Sequence, residues 1–281
     1  MNVQTRGVKM KTITNKNFPN ERDLYGENDL YLKDCTFDGI EDGESALKEA
    51  SNIKLESCFM NLRYPLWHDD NVELVNVTMT EKCRASMWYT NNLVIRDSLL
   101  GGIKALRECN NIKISNTKVI SPEFGWRSHN IESEYLFLMA SDLKINNLTF
   151  KGKYSYQYVE NMTIENSNLD TKDAFWHTKN VTVKNSIIKG EYLAWYSENL
   201  TLINCKIIGT QPLCYCKGLK LVDCEMVDCD FSFEYSEVEA TVKGEILSVK
   251  NPHKGYIKAD SIKEIILTND SKYECNCDII T

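Results

Sequence analysis

Four of the five tryptophans, Trp67, Trp88, Trp176 and Trp195, each stand four residues before an asparagine that opens a short apolar phrase, and Trp126 stands four before Asn130. Four positions ahead of the first set come Arg63, Arg84, Lys172 and Glu191, and Glu44 holds the equivalent place in an earlier copy. Rigid aromatic rings beside charged groups suit flat, partly apolar ligands such as sugar rings. Chemistry on a sugar would need more: hydrolysis uses two carboxyl groups, and β-elimination a base beside a charge stabiliser. Glu44, Asp173 and Glu191 are the candidate acids, with His177, next to Trp176, a candidate base. Arg63, Arg84, Arg107 and Lys172 are the candidate anion contacts beside the ligand-binding tryptophans.

What positions these residues is a repeat. Asp142-Leu-Lys-Ile, Asn161-Met-Thr-Ile, Asn180-Val-Thr-Val, Asn199-Leu-Thr-Leu and Gly218-Leu-Lys-Leu follow one another at intervals of 19 residues, and earlier copies begin at Asp29, Asn52, Asn71, Asn92 and Asn111. A short fixed period signals a repeat architecture. Stacked, the copies give apolar columns one, three, six and eight residues after the anchor, as in Leu30, Leu32, Cys35 and Phe37. That alternation is the period of a strand. Asn or Asp fills nine of ten positions five residues past the anchor and nine of ten anchors. These residues tolerate the left-handed conformation, so both columns read as corners. A third strand before each anchor, such as Tyr154-Ser-Tyr156 or Tyr192-Leu-Ala194, completes the coil.

The expected fold is therefore all-β: a right-handed parallel β-helix of about ten to twelve 19-residue coils with three strands per coil. Residues 1–28 read as an N-terminal cap, 29–243 as the β-helix and 244–281 as a C-terminal cap, all one domain. The step from Asn111 to Asp142 is too long for one coil and too short for two. It reads either as a loop inserted within Ser121 to Ser133 or as a shortened extra turn beginning at Asn130.

Composition sets the outer limits. The 281 residues are 42% hydrophobic and carry a net charge of -7 with acidic and basic residues interspersed, which argues against nucleic acid as a partner. The N-terminus lacks the apolar run of a signal peptide and no segment reaches membrane-spanning length, so the chain reads as cytoplasmic without a membrane partner. Eleven cysteines, an odd number, fit free buried thiols in a reducing compartment. Cys214-Tyr-Cys216 and Cys275-Asn-Cys277 have the wrong spacing for zinc, and Gly-rich phosphate loops and dinucleotide fingerprints are absent. No metal and no cofactor are expected.

Gly43-Glu-Ser-Ala-Leu-Lys-Glu49, Tyr64-Pro-Leu-Trp67, Lys172-Asp-Ala-Phe-Trp176, Asn199-Leu-Thr-Leu-Ile-Asn-Cys205, Phe233-Glu-Tyr-Ser236 and Ser248-Val-Lys-Asn-Pro252 carry a resemblance. The chain resembles a bacterial family of uncharacterised β-helix proteins, related in fold to the pectin lyases. The resemblance implies a right-handed β-helix and transfers no catalytic residue.

By strand alternation, the tryptophan column points outward from the third strand. Small side chains on the same expected outer face, including Ala46, Pro65, Ser86, Ala105 and Ala174, would floor a trough between the charged edge and the aromatic edge. The functional reading is a saccharide-recognising β-helix, with a glycan hydrolase or lyase as its enzymatic form. The rival is a non-catalytic scaffold in which the stripe packs on a loop or on a second copy in a homo-oligomer. The candidate acids do not share a column on adjacent regular coils, so local salt bridges compete with any catalytic role.

Overall fold

The computed structural model describes residues 9–39, 43–115, 117–119, 121, 124–125, 128–134, 136–141 and 143–281. The chain folds as an all-β parallel solenoid of about 13 turns, consistent with right-handed winding. Parallel pairing begins at Lys11–Thr14, which lies on Asn28–Lys33, and ends at Asn276–Ile280, which lies on Lys254–Ile266. In the first half the apolar column is in strict register, Leu30 on Ile53, Val72, Leu93, Ile112 and Ile131 in turn.

The inward columns make one continuous core. Leu30, Leu32, Cys35 and Phe37 are all buried, as are their equivalents along the rod. Each such large apolar side chain contributes about 1.5–3 kcal/mol by leaving water. Nine of the cysteines are buried and free. At the position of Cys35, Cys58, Cys205 and Cys224, other coils carry Ser98, Ser167 and Ser186, whose hydroxyls bond within the backbone of the stack. Ser186 Oγ, for example, accepts from the Ser167 N–H at 3.0 Å and donates to the Lys184 carbonyl at 2.7 Å. Small side chains that need little space and can use a nearby carbonyl are what this turn of chain accommodates.

Both asparagine columns are corners. The anchors Asn52, Asn71, Asn92, Asn161, Asn180 and Asn199 have φ between 53° and 56°, and Asn76, Asn166, Asn185 and Asn204 have φ between 49° and 53°. Their amides also stack: Asn180 Nδ2 donates to Asn161 Oδ1 at 3.2 Å, and Asn199 Nδ2 to Asn180 Oδ1 at 3.1 Å. An asparagine ladder thus lowers the cost of the left-handed corner and links each coil to the next.

The third segment pairs from coil to coil, but its backbone is not extended. Tyr154, Tyr156 and Tyr158 have φ of 55°, 61° and 55°, and Asp173, Phe175 and His177 have 52°, 61° and 55°. Only Met87–Trp88 and Leu106–Arg107 form short strands there among the described residues. Alternate left-handed residues break the two-residue side-chain period. Ala46 and Leu47, Ser155 and Tyr156, and Ala174 and Phe175 are therefore buried in consecutive pairs. The small residues expected to floor an outward trough lie inside the rod instead.

The long step between Asn111 and Asp142 is neither a loop on a regular coil nor a complete shortened turn. His129–Glu134 pairs with Asn110–Ser115 above it, as the place of Asn130 one full repeat after Asn111 requires. Below it, however, lies Thr149–Lys153, a strand of the second face, with Ile131 opposite Phe150. Phe124, on the third face, bridges to Ile145 on the first face of the next coil. The extra stretch covers only two of the three faces, so every column moves to the neighbouring face at this junction. The expectation of a loop within Ser121 to Ser133 is corrected accordingly.

Candidate functional site

The junction divides the predicted site. Trp67, Trp88 and Arg107 lie on the third face of the first half, which continues downward as the first face of the second half. Trp176 and Trp195 lie on the third face of the second half, beneath the second face of the first. The four described tryptophans do not form a single stripe, and Trp126 lies outside the described residues.

Within each half the rings stack along the rod. Trp67 and Trp88 have centroids 5.2 Å apart and planes 4° from parallel, and Trp176 and Trp195 are 5.3 Å apart at 5°. Coils repeat at about 4.8 Å, so a ring held across the axis meets the ring above it. A hydrogen bond fixes that pose: Trp88 Nε1 donates to the Lys104 carbonyl at 2.7 Å, Trp176 Nε1 to Tyr192 at 2.6 Å and Trp195 Nε1 to Gln211 at 2.8 Å. Trp67 makes the same contact to Ala85. Tyr64 packs on Trp67 at 4.6 Å, and the Arg107 guanidinium sits 4.6 Å from the Trp88 ring. Each indole thus has one face covered by its stacking partner, and all four rings are half-buried.

The charged candidates are largely paired with one another. Arg63 Nε lies 3.2 Å from Glu44, and Lys172 Nζ 2.9 Å from Glu191. Arg84 is exposed on the same face. Arg107 also pairs with Glu108 at 3.2 Å. Asp173 is buried, and burial raises its carboxyl above the usual range. His177 is sandwiched between Tyr158 at 4.8 Å and Tyr196 at 5.0 Å, both nearly parallel to it, so it is a rung in a stack. The structure thus brings Lys172, Asp173, Glu191, Trp176, His177 and Trp195 onto one face, and Glu44, Arg63, Arg84, Trp67, Trp88 and Arg107 onto another.

The stack containing His177 is the most extended aromatic feature of the described surface. It runs Tyr158, His177, Tyr196, Tyr215, with Tyr196 and Tyr215 at 4.7 Å and 12°. Then it breaks. Tyr235 is 5.8 Å from Tyr215 and tilted by 48°, and Tyr273 meets Tyr235 edge-on at 80°. His253 packs 4.9 Å from Tyr273. The break opens a cavity of about 310 Å³ lined by Tyr196, Tyr215, Tyr235, Tyr273, His253, Lys217, Lys272 and Glu237. Here, unlike in the regular stack, aromatic surface is turned toward an open space.

The polar groups around this cavity are already sorted. Tyr215 Oη donates to Glu234 at 3.4 Å, and burial raises the Tyr215 phenol well above its ordinary value. Glu234 is held in turn by Lys250 at 2.9 Å, and Glu237 by Lys254 at 3.0 Å. Lys217 and Lys272 are exposed and form no ion pair among the described residues. The sequence places Tyr158, His177 and Tyr196 in one column but does not show that the column ends in a cavity. The recurrence of Tyr158, His177, Tyr196 and Tyr215 at the spacing of the repeat was its signal, but His253 and Tyr273 fall beyond the regular period.

Among the described residues no helix is long and apolar enough to cross a membrane. Comparison with curated proteins gives no sequence match. Solved structures with a similar course of chain include the A-module of mannuronan C-5 epimerase AlgE6 of Azotobacter vinelandii, at 11% identity and a TM-score of 0.45 over 92% of this chain and 88% of that one. The AlgE4 A-module of the same organism follows at 13% and 0.32 over 84% and 90%, and PfbA, a surface adhesin of Streptococcus pneumoniae, at 10% and 0.28 over 82% and 84%. At these values the likeness bears on no residue of the site. At the level of sequence, residues 11–280 match the family described as protein of unknown function (DUF3737), and the chain belongs to that family.

Proposed function

We propose that the protein is a saccharide-binding β-helix whose ligand sits in the cavity at the C-terminal end of the tyrosine–histidine stack. One observation carries this reading: the stack is regular through Tyr215 and then opens at Tyr235 and Tyr273 into a cavity of about 310 Å³. That volume is at the lower end of small-ligand sites, and tyrosines offer an apolar face with a hydroxyl at the rim, the combination a sugar ring uses. The paired acids and sandwiched His177 support binding over catalysis on this face.

The tryptophan columns fit a second, structural role, because each ring is stacked on its neighbour and their indole N–H groups are bonded to the next coil. A glycan array probed with wild type, Tyr235→Ala and Trp176→Ala, with sedimentation velocity on each, separates the two readings. Binding that is lost in Tyr235→Ala and kept in a folded Trp176→Ala supports the cavity. A protein that binds no glycan, and whose self-association is lost in either variant, supports an interface and removes the saccharide reading.

A further inference from the structure

The charged side chains that line the cavity are Lys217, Lys272 and Glu237. The protein as a whole is acidic, with a net charge of -7. The carboxylate that lines the cavity, Glu237, is paired with Lys254 at 3.0 Å, and the neighbouring Glu234 with Lys250 at 2.9 Å. The phenol of Tyr215 is committed to Glu234. What remains to meet a ligand is cationic or a donor, since Lys217 and Lys272 line the opening without an ion pair among the described residues. Lys272 is placed there by its backbone N–H, which donates to Tyr235 Oη at 3.3 Å, while its ammonium lies 5.2 Å from the Tyr273 ring. His253 Nδ1 lies 3.3 Å from the Glu274 carbonyl, which fixes the imidazole against Tyr273.

Resting on the saccharide reading above, we infer that this cavity selects an anionic sugar unit, one bearing a carboxylate, sulfate or phosphate. The tyrosine surface takes the ring and the two lysines take the charge. A neutral sugar would fill the same space and leave both ammonium groups to water. Exposed ion pairs are individually weak and screened by salt, so two of them give a preference of roughly tenfold that fades as ionic strength rises.

The test is an NMR titration of wild type and of Lys217→Gln/Lys272→Gln with glucose, glucuronate, glucose 6-phosphate and glucose 6-sulfate, and with inorganic phosphate as the sugar-free control. Both lysines are exposed, so the double variant keeps the fold. The expected result is that at least one anionic sugar binds about tenfold more tightly than glucose at low salt. High salt and the double variant should each erase that margin, and comparison of the three anionic sugars identifies which anion is preferred. Glucose binding as tightly as every anionic sugar would overturn the inference and leave the saccharide reading standing. Inorganic phosphate binding as tightly as glucose 6-phosphate would also overturn it, by making the site an anion site with no use for the ring. Binding by none of the sugars would overturn both.

Discussion

Asp69 is the residue that fits its place least well. It stands at an inward position of the repeat that other coils fill with small side chains such as Ala50, Thr90, Cys109, Ser128, Thr178, Ser197 and Ser236, and it is fully buried. One carboxyl oxygen accepts the Ala50 N–H at 3.0 Å, and the other has no partner in the structure. Burial raises the group from 3.8 to about 8. Between those values the folded chain holds a proton that the unfolded chain has released, so folding stability falls as pH rises from about 4 to about 8 and levels off beyond. At the equivalent position of a later coil Ser236 Oγ accepts from Cys216 N–H at 2.9 Å and donates to the Leu213 carbonyl at 2.7 Å. Asp69→Ser should reproduce that pattern, raising stability by about 1–3 kcal/mol above the upper end of the window and flattening the pH dependence across it. Thermal denaturation of both proteins at several pH values checks this; an unchanged slope would mean that Asp69 is already solvated.

The elements of the rod are its corners and columns, and they were the part most legible in the sequence. Asn180 shows why: one side chain both occupies the left-handed corner, at φ 54°, and bonds to its neighbours above and below, so its recurrence every 19 residues records the geometry directly. Asn180→Ala should cost about 1–2 kcal/mol, whereas Asn180→Gly, which keeps the backbone conformation and loses only the exposed amide bonds, should cost less. Urea denaturation of the pair resolves the two contributions, and equal losses would assign the ladder's worth to its amides alone. The third segment was misread because strand alternation does not hold where Tyr154, Tyr156 and Tyr158 alternate into positive φ. The junction was also hidden. The long step from Asn111 to Asp142 preserves the phrase but moves it to another face, and nothing in the phrase itself says which face it occupies.

At the scale of the whole molecule, the junction decides which surfaces can act together. It places the Trp67–Trp88 column and the Trp176–Trp195 column on different faces, so no ligand can lie along all the tryptophans at once. It also leaves the tyrosine–histidine stack as the aromatic run that leads into an open cavity near the C-terminal end of the rod. Three of the four histidines report on this layout, since His253 lines the cavity, His177 is a rung farther up the stack and His68 stacks on Tyr89 in the first half. The most direct measurement is therefore the imidazole proton spectrum during titration with an oligosaccharide that binds. The account predicts saturable shifts of the His253 ring, with His68 unmoved. Saturable shifts of His68 with His253 unmoved would place the ligand on the first half and contradict it.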